Sequence, residues 1–173
     1  INQLAAHPNV NGVVIDLATY ENFNQNVFGV TNKGAYEIWD DAPDNPLAAN
    51  YVASQVKALI NALTPAYPNL EYMVIIGEDR VIPHRRIQDD ALVANERHYA
   101  EIAYTDHLSG SLGLRFFLSD DYYAGLLPFP FGNREFYLPQ VAIGRLVEQP
   151  SEIESTIDLF LAQSVITPDD ALV

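Results

Sequence analysis

Three short runs constrain this chain more than anything else in it: "GVVIDLA" from Gly12, "EYMVIIG" from Glu71 and "QVAIGRL" from Gln140. Each is rich in aliphatic residues and hardly alternates between apolar and polar positions. A strand with one wet face alternates with a period of two, whereas a strand covered on both faces reads as a continuous apolar run. The three runs therefore predict buried strands of a mostly parallel sheet with helices on each side. Between the first two, Val52, Val56, Leu59, Ile60 and Leu63 recur at helical spacing, with Asn45 placed to cap and Pro46 in the first turn. Strand, helix, strand in that order implies a right-handed βαβ unit.

The remaining segments fill in around this frame. Thr19 to Asp44 is polar, aromatic and broken by Gly29 and Gly34, which reads as an irregular crossover with a short helix at "AYEIWDD". "TPAYPN" stops the long helix. "NERHYAEIAY" suits another short helix, and "RFFLS" reads as a fourth, short strand running into "DDYYAG". "LLPFPFGNREFYLP", from Leu126 to Pro139, is too rich in Pro and aromatics for regular structure beyond a small hairpin arm. Ser151 and Glu154 form an S-x-x-E capping box for a last helix with Ile153, Ile157, Phe160 and Leu161 on one face. Residues 165–173 read as a linker or cut end. Residues 1–173 thus predict a single α/β domain: a three-layer sandwich of about four mostly parallel strands, Rossmann-like, with helices on both faces. The first residue is Ile rather than Met, as in a segment of a longer protein.

Composition narrows the partners. The formal net charge is −14, from 23 acidic against nine basic residues, and such a surface repels nucleic-acid phosphates and anionic membranes. No apolar run approaches the ~20 residues of a membrane span. Cysteine is absent, which excludes disulfides, thiolate zinc sites and a cysteine nucleophile within these residues.

Ligands of open parallel sheets sit beyond the carboxyl ends of the strands. Asp16, Glu78, Asp79, Asp120 and Asp121 all fall near such ends, and Gly144 and Arg145 end the last strong strand. These residues predict a binding rim, with calcium held by Glu78, Asp79 and Asp120 as its metal reading, since hard oxygen ligands suit that ion. The competing reading is solvated loop acids, helix caps and ion pairs to Arg80, Arg85, Arg86 or Arg145. His84 has the side chain of a general base, but no Cys and no G-x-S-x-G serine accompanies it, and Pro-His-Arg after a strand equally suits loop packing. His98 and His107, nine residues apart, are spaced too widely for the usual zinc pair. "SDDYYAG" reads either as a binding rim or as a capped turn whose Tyr122 and Tyr123 pack inward. "IIGEDR" has one Gly and two acids, unlike a phosphate-binding loop.

Three motifs in order carry a family likeness. "YMVIIGEDRVIP", "FFLSDDYYAG" and "YLPQVAIGRLVEQPSEIESTIDLFL" together resemble the first half of the gingipain-type cysteine peptidase domain, a relative of the caspases. The matching residues are Gly77, Glu78 (where the family often has Asp), Ile82 and Pro83, then Ser119, Asp120 and Tyr123, then Ala142, Gly144 and Arg145. The likeness spans about Tyr72 to Ala162. It implies a caspase-like fold in two tandem subdomains, with a His-Gly motif and the nucleophilic Cys in the second. This chain has neither. The resemblance therefore implies the first, non-catalytic subdomain, inactive alone and packed against a following catalytic subdomain that acts on peptide or protein. It also implies an exported bacterial protein, extracellular or at the cell surface. The alternatives are a calcium-binding or protein-interaction module without peptidase activity, and an independent hydrolase built on His84 and a carboxylate.

Overall fold

In the computed structural model the chain is a mixed α/β protein, described here for residues 1–19, 33–103, 105–125, 127–129, 135–147 and 149–163. Its helices are α1 (Asn2–Ala5), α2 (Ala35–Asp41), α3 (Pro46–Leu63), α4 (Asp106–Gly113), α5 (Asp121–Ala124) and α6 (Pro150–Ala162). Its strands are β1 (Tyr72–Ile76), β2 (Arg85–Gln88), β3 (Phe116–Ser119) and β4 (Ala142–Leu146). Short 3₁₀ turns cover Leu17–Thr19, Thr64–Ala66 and Glu96–Ile102. The chain divides into two compact units: Ile1–Tyr20 with Val147–Val173, and Glu21–Leu146.

In the larger unit the strands form two pairs rather than one four-stranded sheet. β1 and β4 run parallel, with Val74 beside Gly144 and Ile75 beside Arg145, while β2 and β3 run antiparallel. Apolar continuity predicted cover on both faces of β1. Ile75 is buried, but Tyr72 and Val74 are exposed, and a Cβ at Gly144 would meet nothing within 4 Å, so the pair presents an open face.

α3 begins where the sequence marks it. The Asn45 side chain accepts from the Leu47 N–H at 2.9 Å, and Pro46 occupies the first turn, where its missing N–H costs nothing. The helix buries a face of small residues, Ala48, Ala49, Val52, Ala53 and Val56, so α2 can approach closely with Ala35 and Trp39. α4 forms from "DHLSGSLG", a stretch whose Gly and Ser content argues for a loop, because close packing needs a residue without a side chain there. A Cβ on Gly110 would lie 2.4 Å from the Asp44 carbonyl oxygen.

The smaller unit corrects two expectations. Residues 11–16 carry no strand, and Val13 and Val14 are exposed. The Gly12 N–H goes to the Ala5 carbonyl at 2.8 Å, a local turn contact in place of a ladder bond. The capping box of α6 lies two residues earlier than Ser151 and Glu154. Pro150 takes the first helical position, Gln149 becomes the cap, and its N–H donates to Glu152 at 2.9 Å. The predicted apolar face remains: Ile157 is buried and Phe160 meets His7 edge-on at 5.8 Å. The linker read into residues 165–173 and much of the 19–44 crossover lie outside the described residues. Among the described residues, no helix is long and apolar enough to cross a membrane.

Candidate functional site: the Gly77–Arg86 loop

β1 ends at Ile76, and Gly77 turns the chain with φ 137°, a region that side-chain-bearing residues rarely enter. The loop that follows returns the chain to β2, and other elements hold its carbonyls. Arg145 of β4 donates through Nη1 to the Gly77 and Ile82 carbonyls at 2.9 and 2.7 Å. The Tyr36 hydroxyl of α2 donates to the Val81 carbonyl at 2.5 Å, and burial pushes that phenol up to about 12. The buried Tyr123 hydroxyl of α5 donates to the Pro83 carbonyl. Beyond the loop, Asn50 of α3 clasps the backbone of Arg86, accepting from its N–H at 2.7 Å and donating to its carbonyl at 2.8 Å. A single amide thus mimics a neighbouring strand along β2.

Inside the loop runs a chain of alternating charge. Arg86 grips Asp79 with a fork, Nη1 to Oδ1 at 2.8 Å and Nη2 to Oδ2 at 2.5 Å. Asp79 Oδ1 also accepts the His84 N–H at 2.9 Å and meets His84 Nδ1 at 2.9 Å. His84 Nε2 then faces Asp120 Oδ2 at 3.6 Å, and Asp120 is gripped in turn by Arg145 through Nε at 2.8 Å and Nη2 at 2.5 Å. Two guanidinium groups balance two carboxylates across a histidine. Burial opposes ionisation of Asp79, but the hydrogen bonds from His84 and Arg86 and the Arg86 charge outweigh it. They hold the carboxyl well below the usual carboxylate range.

This arrangement supports the loop-packing reading of His84. A general base needs an exposed lone pair beside the proton it takes. Here both ring nitrogens face carboxylates and the side chain is only 23% exposed. The nearby hydroxyls are engaged elsewhere: Ser119 accepts from the Asp121 N–H at 3.1 Å, and Ser111 accepts from Arg86 Nε at 3.2 Å while donating to the His107 carbonyl at 3.0 Å. His84 packs the loop.

Of the predicted rim, Asp79, Asp120 and Arg145 come together. Glu78 and Arg80 are exposed beside them, and Asp121 opens α5. Asp16 lies in the other unit, where its side chain accepts from the Ala18 N–H and its carbonyl from Thr19. A calcium ion at Glu78, Asp79 and Asp120 would compete with the arginines for two of its three carboxylates. Among the described residues no group of three His, Cys, Asp or Glu side chains is gathered to hold a metal. His107 rests edge-on against Trp39 at 4.9 Å, and His98 sits in the exposed 3₁₀ turn.

Reading the residues alone missed Asn50, Tyr36, Lys57 and the singular role of Arg86. Lys57 is buried in α3 and donates to the carbonyls of Tyr123 and Gly125 at 2.7 and 2.5 Å, closing the end of α5. Its desolvation lowers its pKa. Along β2 Arg86 and its neighbour Arg85 take opposite faces, Arg86 buried and Arg85 forking Glu135 at 2.8 and 2.9 Å. No protein-family model, curated protein or solved structure matches this chain.

Proposed function

We propose that this chain is the non-catalytic N-terminal subdomain of a gingipain-like cysteine peptidase from an exported bacterial protein. It supports a following subdomain that carries the His/Cys dyad for peptide-bond hydrolysis. The observation that carries this reading is what the motif residues do. Gly77 makes the turn, Arg145 and Tyr123 hold the carbonyls of Gly77, Ile82 and Pro83, Asp120 braces Arg145, and Ser119 caps the turn before α5. Each has an architectural part in the loop, which supports the reading of a subdomain whose partner holds the nucleophile. On this reading the parallel pair β1–β4 is the nucleus of a three-layer α/β sandwich.

The test is hydrolysis of peptide amides by two proteins: this chain, and the full polypeptide its gene encodes. The expected result is no turnover by this chain from pH 5 to pH 9, and turnover by the full polypeptide that is lost on thiol alkylation. Turnover by this chain that disappears in His84→Ala would overturn the reading in favour of an independent hydrolase. A full polypeptide lacking both a His-Gly pair and a cysteine would leave an interaction module without peptidase activity.

A further inference from the structure

His84 stands between two charge pairs that belong to different elements. On one side Asp79, in the loop after β1, is forked by Arg86 of β2 at 2.8 and 2.5 Å. On the other Asp120, between β3 and α5, is held by Arg145 of β4 at 2.8 and 2.5 Å. The imidazole faces both carboxylates, Nδ1 to Asp79 Oδ1 at 2.9 Å and Nε2 to Asp120 Oδ2 at 3.6 Å. The first contact is a hydrogen bond, and the second is an ion-pair distance, too long for one. A neutral imidazole carries one N–H and one lone pair, whereas an imidazolium carries two N–H groups. Only the imidazolium can therefore turn an N–H toward each carboxylate. When the ring loses its proton, one nitrogen must present a lone pair to an acceptor. The His84 backbone N–H also donates to Asp79 Oδ1 at 2.9 Å, which fixes the ring beside that oxygen. Nδ1 thus keeps its proton, and the Nε2 lone pair is left facing Asp120.

We propose that His84 is a proton-operated latch between the Gly77–Arg86 loop and the start of α5. With its proton it joins the Asp79–Arg86 and Asp120–Arg145 pairs into one chain. Without it the ring stays with Asp79 and lets Asp120 go. Histidine is the side chain whose charge commonly changes near neutral pH, and this one is 23% exposed, so water can deliver the proton. The other titratable groups around the ring have separate engagements. Arg86 and Arg145 sit behind the two carboxylates, and Glu78 and Arg80 are exposed on the same loop. The Tyr36 hydroxyl of α2 and the Tyr123 hydroxyl of α5 donate to the Val81 and Pro83 carbonyls. Burial raises both phenols, so neither changes charge near neutral pH. Arg145 holds the Gly77 and Ile82 carbonyls in either state. The loop therefore keeps its course, and only its tie to Asp120 through His84 is switched.

Nitrogen NMR of the His84 ring, followed from about pH 5 to pH 9, tests the latch. Below the midpoint both ring nitrogens should carry protons. Above it Nδ1 should keep its proton and Nε2 lose it, the reverse of the tautomer that free histidine prefers. The Asp120 carboxyl carbon and the Arg145 Nε–H should shift with the same midpoint. In His84→Asn the side-chain amide can still donate toward Asp79 but is too short to reach Asp120, and those two shifts should disappear. Three wild-type results would each overturn the latch: loss of the proton from Nδ1, Asp120 and Arg145 signals that ignore the His84 titration, or a ring whose protonation never changes over this range. Shifts that persist in His84→Asn would overturn it too, and the wild-type titration decides alone if that variant does not fold. None of these readouts depends on peptide hydrolysis, so the latch and the peptidase reading fail separately.

Discussion

The Gly77–Arg86 loop and the described residues 127–129 and 135–138 of the arm handle water in opposite ways. The loop draws polar groups inward and provides partners for them: two arginine–carboxylate forks, a histidine between them, and the Gly77, Val81, Ile82 and Pro83 carbonyls taken by side chains of other elements. The arm holds apolar groups outward on a ladder fixed from its other face. Burying charge is tolerable only when the partners are complete, and it then fixes one geometry. Exposing apolar surface is tolerable only when little of it is contiguous, or when something covers it. The loop's polar groups are thus committed to holding the fold together, although the loop looks more like an active site.

The largest effect should come from breaking the charge chain from one side. Asp79→Ala leaves Arg86 buried and unpaired, and the expected loss is about 3–5 kcal/mol in urea denaturation followed by circular dichroism. A loss below 1 kcal/mol would mean that the guanidinium finds water, and that the hydroxyl and Asn50 contacts alone hold the loop. Gly77→Ala should follow with a loss of about 1–3 kcal/mol. It forces a side chain into φ 137° and sets a Cβ 3.1 Å from that of Val81. A neutral Gly77→Ala would show that the turn relaxes without disturbing the arginine contacts.

Acid should act on the loop through Asp79. The folded state holds the Asp79 carboxyl well below its unfolded value, so the native protein binds that proton more weakly than the unfolded chain does. The stabilisation is complete above the unfolded pKa, near 3.9, and is lost as pH falls from there toward the folded pKa. The slope is at most about 1.4 kcal/mol per pH unit for this one proton. Stability measured from pH 6 to pH 2 should therefore decline more steeply in the wild type than in Asp79→Asn, which starts lower but lacks this proton. Parallel curves would assign the acid limb to other carboxylates.

Much of the frame was legible because it follows from local chemistry. Asn45–Pro46 is a helix start wherever it stands before an apolar period, and α3 begins there. "YMVII", "FFLS" and "AIGRL" are strands as the pattern requires. What failed depends on distant partners. "GVVID" has strand propensity, but a strand needs a neighbour's backbone, and periodicity carries no information about one. The Gly and Ser of "LSGSLG" are weak helix formers, and the close approach of Asp44 to Gly110 comes from a partner distant in sequence. In the site, Asp79, Asp120 and Arg145 were legible as a group of opposite charges near strand ends. Which arginine each carboxylate takes was not, because Arg80, Arg85 and Arg86 are equivalent until the strand assigns their faces. Asn50 and Lys57 looked like ordinary helix surface, and only α3's closeness to β2 and α5 makes them buried donors.

The smallest effect discriminates best between the two regions. Leu127→Ser with Phe129→Ser removes apolar surface that folding of this chain does not bury, so its stability should change by no more than about 0.5 kcal/mol. The same pair should lower the binding of a hydrophobic dye to the native protein, because the dye reports the surface held out to water. A loss above 2 kcal/mol would mean that these side chains pack against the body in solution, and the arm would join the loop as an element of the fold. An unchanged stability with undiminished dye binding would shift attention to other exposed apolar side chains in this unit, such as Tyr72 and Val74 of β1 or Leu92 and Val93. Unchanged stability with reduced dye binding fits an arm whose outer apolar side chains lie in water in this chain.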